Sequence, residues 1–230
     1  HVITVGASGG TIQIGTPTSG TPTFSLGSAG NLTGGGNLTV IGDGPLGTTG
    51  GGWNVLVMGT ANAGYTGDVA IHDGGVIEYA NAGGIASGSF IIGNNGMLSA
   101  NGVNIARSVT LNSGGYLGFQ NSNNGVFSGG VTLNGAATVR TQDWWGATVR
   151  NGLFSGTITG AGSLTVNSGS GSGGILGLRG TNTFAGGVTI QSGGVVGVAR
   201  DAGTNSNLGT GAVTVNAGGV LRPGYQVSSN

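Results

Sequence analysis

The chain has 230 residues, zero formal net charge and only 5% charged residues, while Gly supplies 56 positions. Mean hydropathy is positive, at +0.20, which argues against intrinsic disorder because disordered chains combine low hydropathy with high charge. The six cations are all Arg and are spread singly along the chain. Since no basic patch is available to displace counterions from phosphates, we expect no nucleic-acid partner.

The sequence also argues against cysteine-based sites and against membrane-spanning helices. There is no Cys, which excludes disulfides and thiolate metal sites. The longest apolar run, residues 55–58, is far shorter than the ~20 residues of a membrane helix, so we expect no membrane insertion of this chain. The sequence opens at His1 without a signal peptide, and we expect a processed mature chain or an excised fragment.

Residues 1–28 are predicted to form an N-terminal strand followed by an extended linker. The linker is residues 16–23, where Thr, Ser and Gly surround Pro17 and Pro22 and Pro disfavours a central strand. The strand is a candidate donor that adds to an exposed sheet edge of another copy. Its apolar residues, which form one candidate subunit interface, are Val2, Ile3, Val5, Ile12 and Ile14.

Residues 29–224 repeat a single unit. A triplet of apolar, Thr and apolar residues is followed by a polar turn with Gly-Gly and then by a second short apolar strand. Regular copies of the triplet occupy residues 109–111, 188–190 and 213–215. Each unit is too short to bury its apolar face alone, so the units must stack on one another around a shared core.

Parallel strands without helical crossovers predict an all-β fold, a single parallel β-helix or β-solenoid. At one unit per turn, the chain makes roughly ten rungs, with no capping helix and with residues 225–230 as a tail. The competing fold is an antiparallel sandwich or barrel, which would show two-residue hairpin turns. The Thr residues of the triplets are expected to form one outward column: Thr39, Thr110, Thr132, Thr165, Thr189 and Thr214.

Residues 153–224 carry a more specific pattern. The run GAGSLTV (160–166) is followed by GTNTFAGGVTI (180–190), by GGVV (193–196) and by LGTGAVTV (208–215). This order resembles the autotransporter-associated β-strand repeat of bacterial passenger domains. The resemblance implies a right-handed coil, export across the outer membrane and a surface-exposed role, commonly adhesive or structural. It leaves open whether the chain is a passenger fragment or a stand-alone secreted protein.

Few residues in the chain are suited to catalysis. The carboxylates are Asp43, Asp68, Asp73, Glu78, Asp143 and Asp201. Only His72, Asp73 and Glu78 are concentrated locally, and a turn role explains His72 and Asp73 because Asp readily bonds to turn backbone. We therefore predict no catalytic residue and no enzyme, with a β-helix polysaccharide-degrading enzyme as the minor alternative. The Gly-rich turns carry neutral Asn and Gln, so we expect no calcium, other metal or cofactor.

Three Trp residues are candidates for partner contact. Trp53, Trp144 and Trp145 either stack on a glycan or a partner surface or fill a local gap where an insertion leaves the coil. Both interpretations stay open.

The last rung is as regular as the others and shows no cap, so we expect copies to associate end to end into a homopolymer, an extracellular bacterial filament. Candidate interface residues on that rung and its tail are Val213, Val215, Leu221 and Tyr225. The alternative is a monomeric adhesin stalk that contacts host surfaces or glycans.

Overall fold

The computed structural model describes residues 1–15, 23–27, 30–44, 46, 54–119, 124–142, 150–168, 174–198 and 207–224. Within these ranges the chain contains strands and turns and no helix, and the pairings between strands are parallel. The predicted all-β parallel solenoid is therefore confirmed.

Three long sheets form the walls of the solenoid. Within the described ranges, sheet 1 has seven strands: β2 (Gly10–Ile14), β5 (Leu38–Gly42), β7 (Val69–His72), β9 (Phe90–Ile92), β12 (Val109–Leu111), β15 (Val131–Leu133) and β18 (Ile158–Gly160). Sheet 2 has nine over the same ranges: β3 (Thr23–Ser25), β6 (Asn54–Met58), β8 (Gly75–Tyr79), β10 (Met97–Ala100), β13 (Tyr116–Phe119), β16 (Ala137–Arg140), β19 (Leu164–Asn167), β21 (Val188–Ile190) and β23 (Val213–Val215). Sheet 3 has six described strands: β11 (Asn104–Ile105), β14 (Gly125–Phe127), β17 (Gly152–Phe154), β20 (Ile175–Leu178), β22 (Val195–Val198) and β24 (Val220–Pro223). Two further strands, β1 (Ile3–Val5) and β4 (Leu32–Gly34), pair with each other.

The described part of the chain makes about seven turns, and the roughly ten rungs expected from the sequence are not confirmed. The turns differ in length, because Leu38 pairs with Val69, 31 residues later, whereas Phe90 pairs with Val109, 19 residues later. Residues in the long connections lengthen the chain without adding a strand, so dividing the chain by a uniform repeat overestimates the count.

The described parts of the N-terminal segment, residues 1–28, lie within the coil. In that segment β1 pairs with β4, β2 with β5 and β3 with β6, all in parallel. A role for β1 as a donor strand would require it to leave its pairing with β4. Most of the predicted Thr/Pro linker falls outside the described residues.

The core is built from columns of inward side chains, because alternate residues of a strand point to the same face. One column runs through every strand of sheet 2, and we call it the sheet 2 ladder. Its members, each directly opposite the next, are Phe24, Leu56, Ile77, Leu98, Leu117, Val139, Val166, Ile190 and Val215. The seven residues between Phe24 and Val215 are completely buried.

The triplets lie on two different sheets and do not form the single Thr column expected from the sequence. Thr110 and Thr132 are opposite each other in sheet 1, whereas Thr165, Thr189 and Thr214 are aligned in sheet 2. In the turns between residues 131 and 167 both walls carry such a residue, since Thr132 lies opposite Thr159 in sheet 1 and Thr138 lies opposite Thr165 in sheet 2. Periodicity alone cannot assign a triplet to one wall or the other, because the spacing of the triplets is irregular.

Two fully buried Asn side chains link successive turns. Asn182 accepts a hydrogen bond from the Ile158 backbone N–H at 2.8 Å and donates to the Asn207 carbonyl at 2.6 Å. Asn62 accepts one from the Leu32 N–H at 2.9 Å and donates one to the carbonyl of Gly84 at 3.1 Å. Each side-chain amide thus provides hydrogen-bond partners for buried backbone groups on the turns before and after its own, at positions where these groups are not paired by a neighbouring strand.

We expect Asn182→Ala to lower the free energy of unfolding by about 2–4 kcal/mol, because two buried backbone groups lose their partners. Asn134→Ala is the matched control, since the exposed Asn134 side chain donates a surface hydrogen bond to the half-buried Asn112 side chain and its loss costs within about 0.5 kcal/mol. Urea unfolding followed by circular dichroism measures both. Equal losses in the two variants would contradict the bridging role.

Tyr65 is a second buried polar group between turns. Its hydroxyl lies 2.9 Å from the Asp68 carbonyl and 3.0 Å from the Gly36 carbonyl, and it donates its hydrogen to them. Burial, with a smaller contribution from the Asp68 charge, raises the pKa of Tyr65 to about 12 from its ordinary value of 10.0. Burial also raises the pKa of Tyr79.

The raised pKa of Tyr65 predicts alkaline destabilisation. Between pH 10 and about 12 the unfolded chain releases a proton that the folded chain retains, so stability is full below pH 10 and falls as the pH rises. We expect Tyr65→Phe to cost about 1 kcal/mol at neutral pH through the lost hydrogen bond and to flatten this decline, leaving the part due to Tyr79. Urea titrations at several pH values check the slope, and an unchanged slope would contradict the assignment.

Candidate assembly surfaces at the two ends of the solenoid

The exposed members of the sheet 2 ladder lie at its two ends. Phe24 is 44% exposed and Val215 is 46% exposed, whereas the residues between them are 0% exposed. Both side chains point inward like the rest of the ladder, so their exposure comes from the lack of a neighbouring strand among the described residues. Within the described part of the chain, the first and last strands of sheet 2 therefore each leave an inward apolar side chain accessible to solvent.

The C-terminal end surface consists of β23 and β24. On β23, Asn216 donates its N–H to Ile190 at 2.9 Å, and Val188 donates to Ala212 at 2.9 Å. Because backbone groups alternate in direction along a parallel strand, the N–H and C=O groups of Val213 and Val215 point to the opposite, free edge. Val213 is also 38% exposed, so this edge combines apolar side chains with backbone groups available for pairing.

The edge of β24 differs from that of β23. Val220 donates its N–H to Gly194 at 2.9 Å and Gly224 donates to Val198 at 3.0 Å, both toward β22. The same alternation directs the backbone of Leu221 and Pro223 to the free edge, where Pro223 has no N–H to donate. Pro at such a position weakens edge pairing, so sheet 2 offers the better edge.

The N-terminal end surface is an open apolar cavity. It has a volume of about 450 Å³ and is lined by the apolar residues Ile3, Ile12, Ile14 and Phe24, together with Gln13, Gly15 and Thr23. Ile3 and Ile12 are half-buried and pack against the main core. The cavity is the interior of the first turn, left open because no preceding turn fills it among the described residues.

The structure distributes the predicted interface residues unevenly. Val2 is exposed at the N-terminal end, while Val5 and Ile14 are buried in the core of their own chain. Leu221 is half-buried. Four predicted residues, Tyr225, Trp53, Trp144 and Trp145, lie outside the described residues.

Phe24 is an exposed inward residue that the sequence reasoning did not single out. The Thr/Pro stretch that ends at Thr23 favours a linker, and this preference hides the short strand that follows. The available signal was the alternation of Phe24 and Leu26, which predicts a strand with both side chains inward. Leu26 is indeed buried.

The structure separates the titratable residues that are close in sequence. His72 Nδ1 lies 2.8 Å from Asp73 Oδ2, and both side chains are substantially exposed in the turn after β7. Glu78 lies in β8, nearly buried, and accepts a hydrogen bond from Asn101 at 2.6 Å. Asp73 has a φ of 49°, which suits the turn role expected for it.

The described residues hold no group of three or more His, Asp or Glu side chains placed to bind a metal ion. They also contain no helix long and apolar enough to cross a membrane. Comparisons with protein-family models, with curated proteins and with solved structures find no match to this chain.

Proposed function

We propose that this chain is a structural subunit of an extracellular bacterial surface filament, a rod that assembles end to end through its terminal turns. The observation that carries the proposal is the exposure of Phe24 and Val215, the end members of one otherwise buried ladder. Pairing one end with the other removes both from water. Fully burying such a side chain contributes about 1.5–3 kcal/mol.

The geometry of the two ends favours a polymer over a closed dimer. The N-terminal surface is a cavity and the C-terminal surface is an edge strand, so the contact joins unlike surfaces and repeats without closing. Zero net charge also removes the long-range repulsion that keeps copies apart. We propose a right-handed coil, since crossovers between parallel strands are right-handed in about 98% of cases.

The extracellular and bacterial parts of the proposal rest on the resemblance of residues 153–224 to autotransporter passenger repeats. The proposal assigns no catalysis to the chain, because a structural role accounts for His72 and Asp73 as turn residues. A monomeric stalk within a longer passenger is the second candidate. It is favoured by the register of β23 and β24, which continues that of β21 and β22 without a break and would extend into further turns.

Assembly of the purified 230-residue chain tests the proposal, with light scattering and electron microscopy as the measurements. We expect filaments from the wild type and none from Val215→Asp, because an unpaired charge would be buried at the contact. Ile91→Asp is the matched control, since Ile91 is an exposed large apolar residue in the middle of sheet 1, and this variant should still form filaments.

Urea unfolding of the two variants verifies that both remain folded. A wild-type chain that stays monodisperse at high concentration would contradict the filament and favour the stalk. Equal assembly of the two variants would contradict the terminal turns as the contact.

A further inference from the structure

The sheet 2 ladder restricts how two copies can meet. Along it, each inward residue lies directly opposite the next, from Phe24 on β3 to Val215 on β23. If a second copy continues the column, the residue that follows Val215 is the Phe24 of that copy. A shift by one residue would turn Phe24 outward and place Thr23 or Ser25 in the core, which the alternation of strand faces forbids.

The backbone hydrogen bonds favour the same alignment. Leu26 donates its N–H to the Val57 carbonyl at 3.0 Å, so alternation points the backbone groups of Leu26 and Phe24 toward β6 and those of Thr23 and Ser25 toward the opposite side of β3. Within the sheet, the backbone N–H and C=O groups of Ile190 point toward β23, while those of Val215, directly opposite, point away from β21. A pair of Val215 with Phe24 of a second copy repeats this relation. The backbone groups of Val215 then point toward β3 of that copy, and those of Phe24 point away from β23.

The outward side chains agree with this register. Thr138, Thr165, Thr189 and Thr214 are directly opposite one another on the outer face of sheet 2. Thr23 precedes Phe24 by one residue, so the same alignment places it opposite Thr214 and extends the Thr column. Thr–Thr pairs across neighbouring strands are favourable.

The N-terminal cavity matches what the other end offers. Its 450 Å³ corresponds to about three benzene-sized groups, since an apolar cavity of about 150 Å³ holds one benzene. The C-terminal end presents three inward aliphatic side chains, those of Val213, Val215 and Leu221. The cavity is lined chiefly by Ile3, Ile12, Ile14 and Phe24, so the contact would be mainly apolar.

We infer that filament growth is an in-register extension of sheet 2, in which β23 of one copy pairs in parallel with β3 of a second copy. Val215 lies opposite Phe24, Thr214 lies opposite Thr23, and the C-terminal turn occupies the N-terminal cavity. This inference rests on the proposed function and specifies the contact that it requires.

Cysteine cross-linking tests the register, because the wild-type chain has no Cys. In Thr23→Cys/Thr214→Cys the two new residues lie at opposite edges of sheet 2, about 38 Å apart at ~4.8 Å per strand, so a disulfide reports contact between copies. In the inferred register they are ~4.8 Å apart, within the Cα range of a disulfide. We expect oxidation of the filaments to give a covalent ladder well beyond dimers on non-reducing gels.

Two matched variants make the result specific. Thr23→Cys/Thr189→Cys moves one thiol a strand further from the contact, to about 10 Å, and should give no ladder. Ser25→Cys/Thr214→Cys reports a two-residue slip, which keeps the inward face inward. A ladder from this pair in place of the first, or equal ladders from all three pairs, would overturn the register while filaments remain. If the chain forms no filaments, the result contradicts the proposed function itself and not only the register.

Discussion

The fold depends on one constraint, the in-register stacking of very short parallel strands. Many strands here have only three residues, too few to be stable without a neighbour on each side. Stacking supplies both backbone partners and a continuous column of buried side chains, as the sheet 2 ladder shows from Leu56 to Ile190. Among the residues that the structure describes, β3 and β23 have a neighbouring strand of sheet 2 on one side only, and the exposed ladder residues Phe24 and Val215 lie on these two strands.

The sequence predicts this architecture because every repeat unit carries the residue pattern that stacking requires. An apolar–Thr–apolar triplet with a following Gly turn defines which face is inward, and Val109, Leu111, Val188 and Ile190 are all buried as that pattern predicts. The positions of the units around the coil were not recoverable in the same way. A triplet looks identical whether it lies in sheet 1 or sheet 2, and only the pairing of strands, such as β18 with β15 and β19 with β16, shows which sheet it belongs to.

The candidate site was predicted in part for a related reason. Val213 and Val215 follow from the last regular unit, but Phe24 is preceded by Pro and Thr residues whose local preference favours a linker. Tertiary pairing with β6 overrides that preference. The interior Asn residues were also missed, although Asn182 lies within the GTNTF run that carries the resemblance. Their role depends on the distance between turns, which local sequence does not encode.

The order in which successive strands join the walls has a consequence for how such chains vary. A repeat protein usually tolerates the gain or loss of a whole unit, because neighbouring units have equivalent contacts. From β11 to β20 the strands follow one another in the constant order sheet 3, sheet 1, sheet 2. Deletion of residues 137–163 would remove β16, β17 and β18, one strand from each wall, and would put Leu164 in the place of Ala137, which it faces in the next turn. The rod would lose one turn and downstream loops would keep their side, whereas deletion of only one or two of these strands would shift those loops around the circumference.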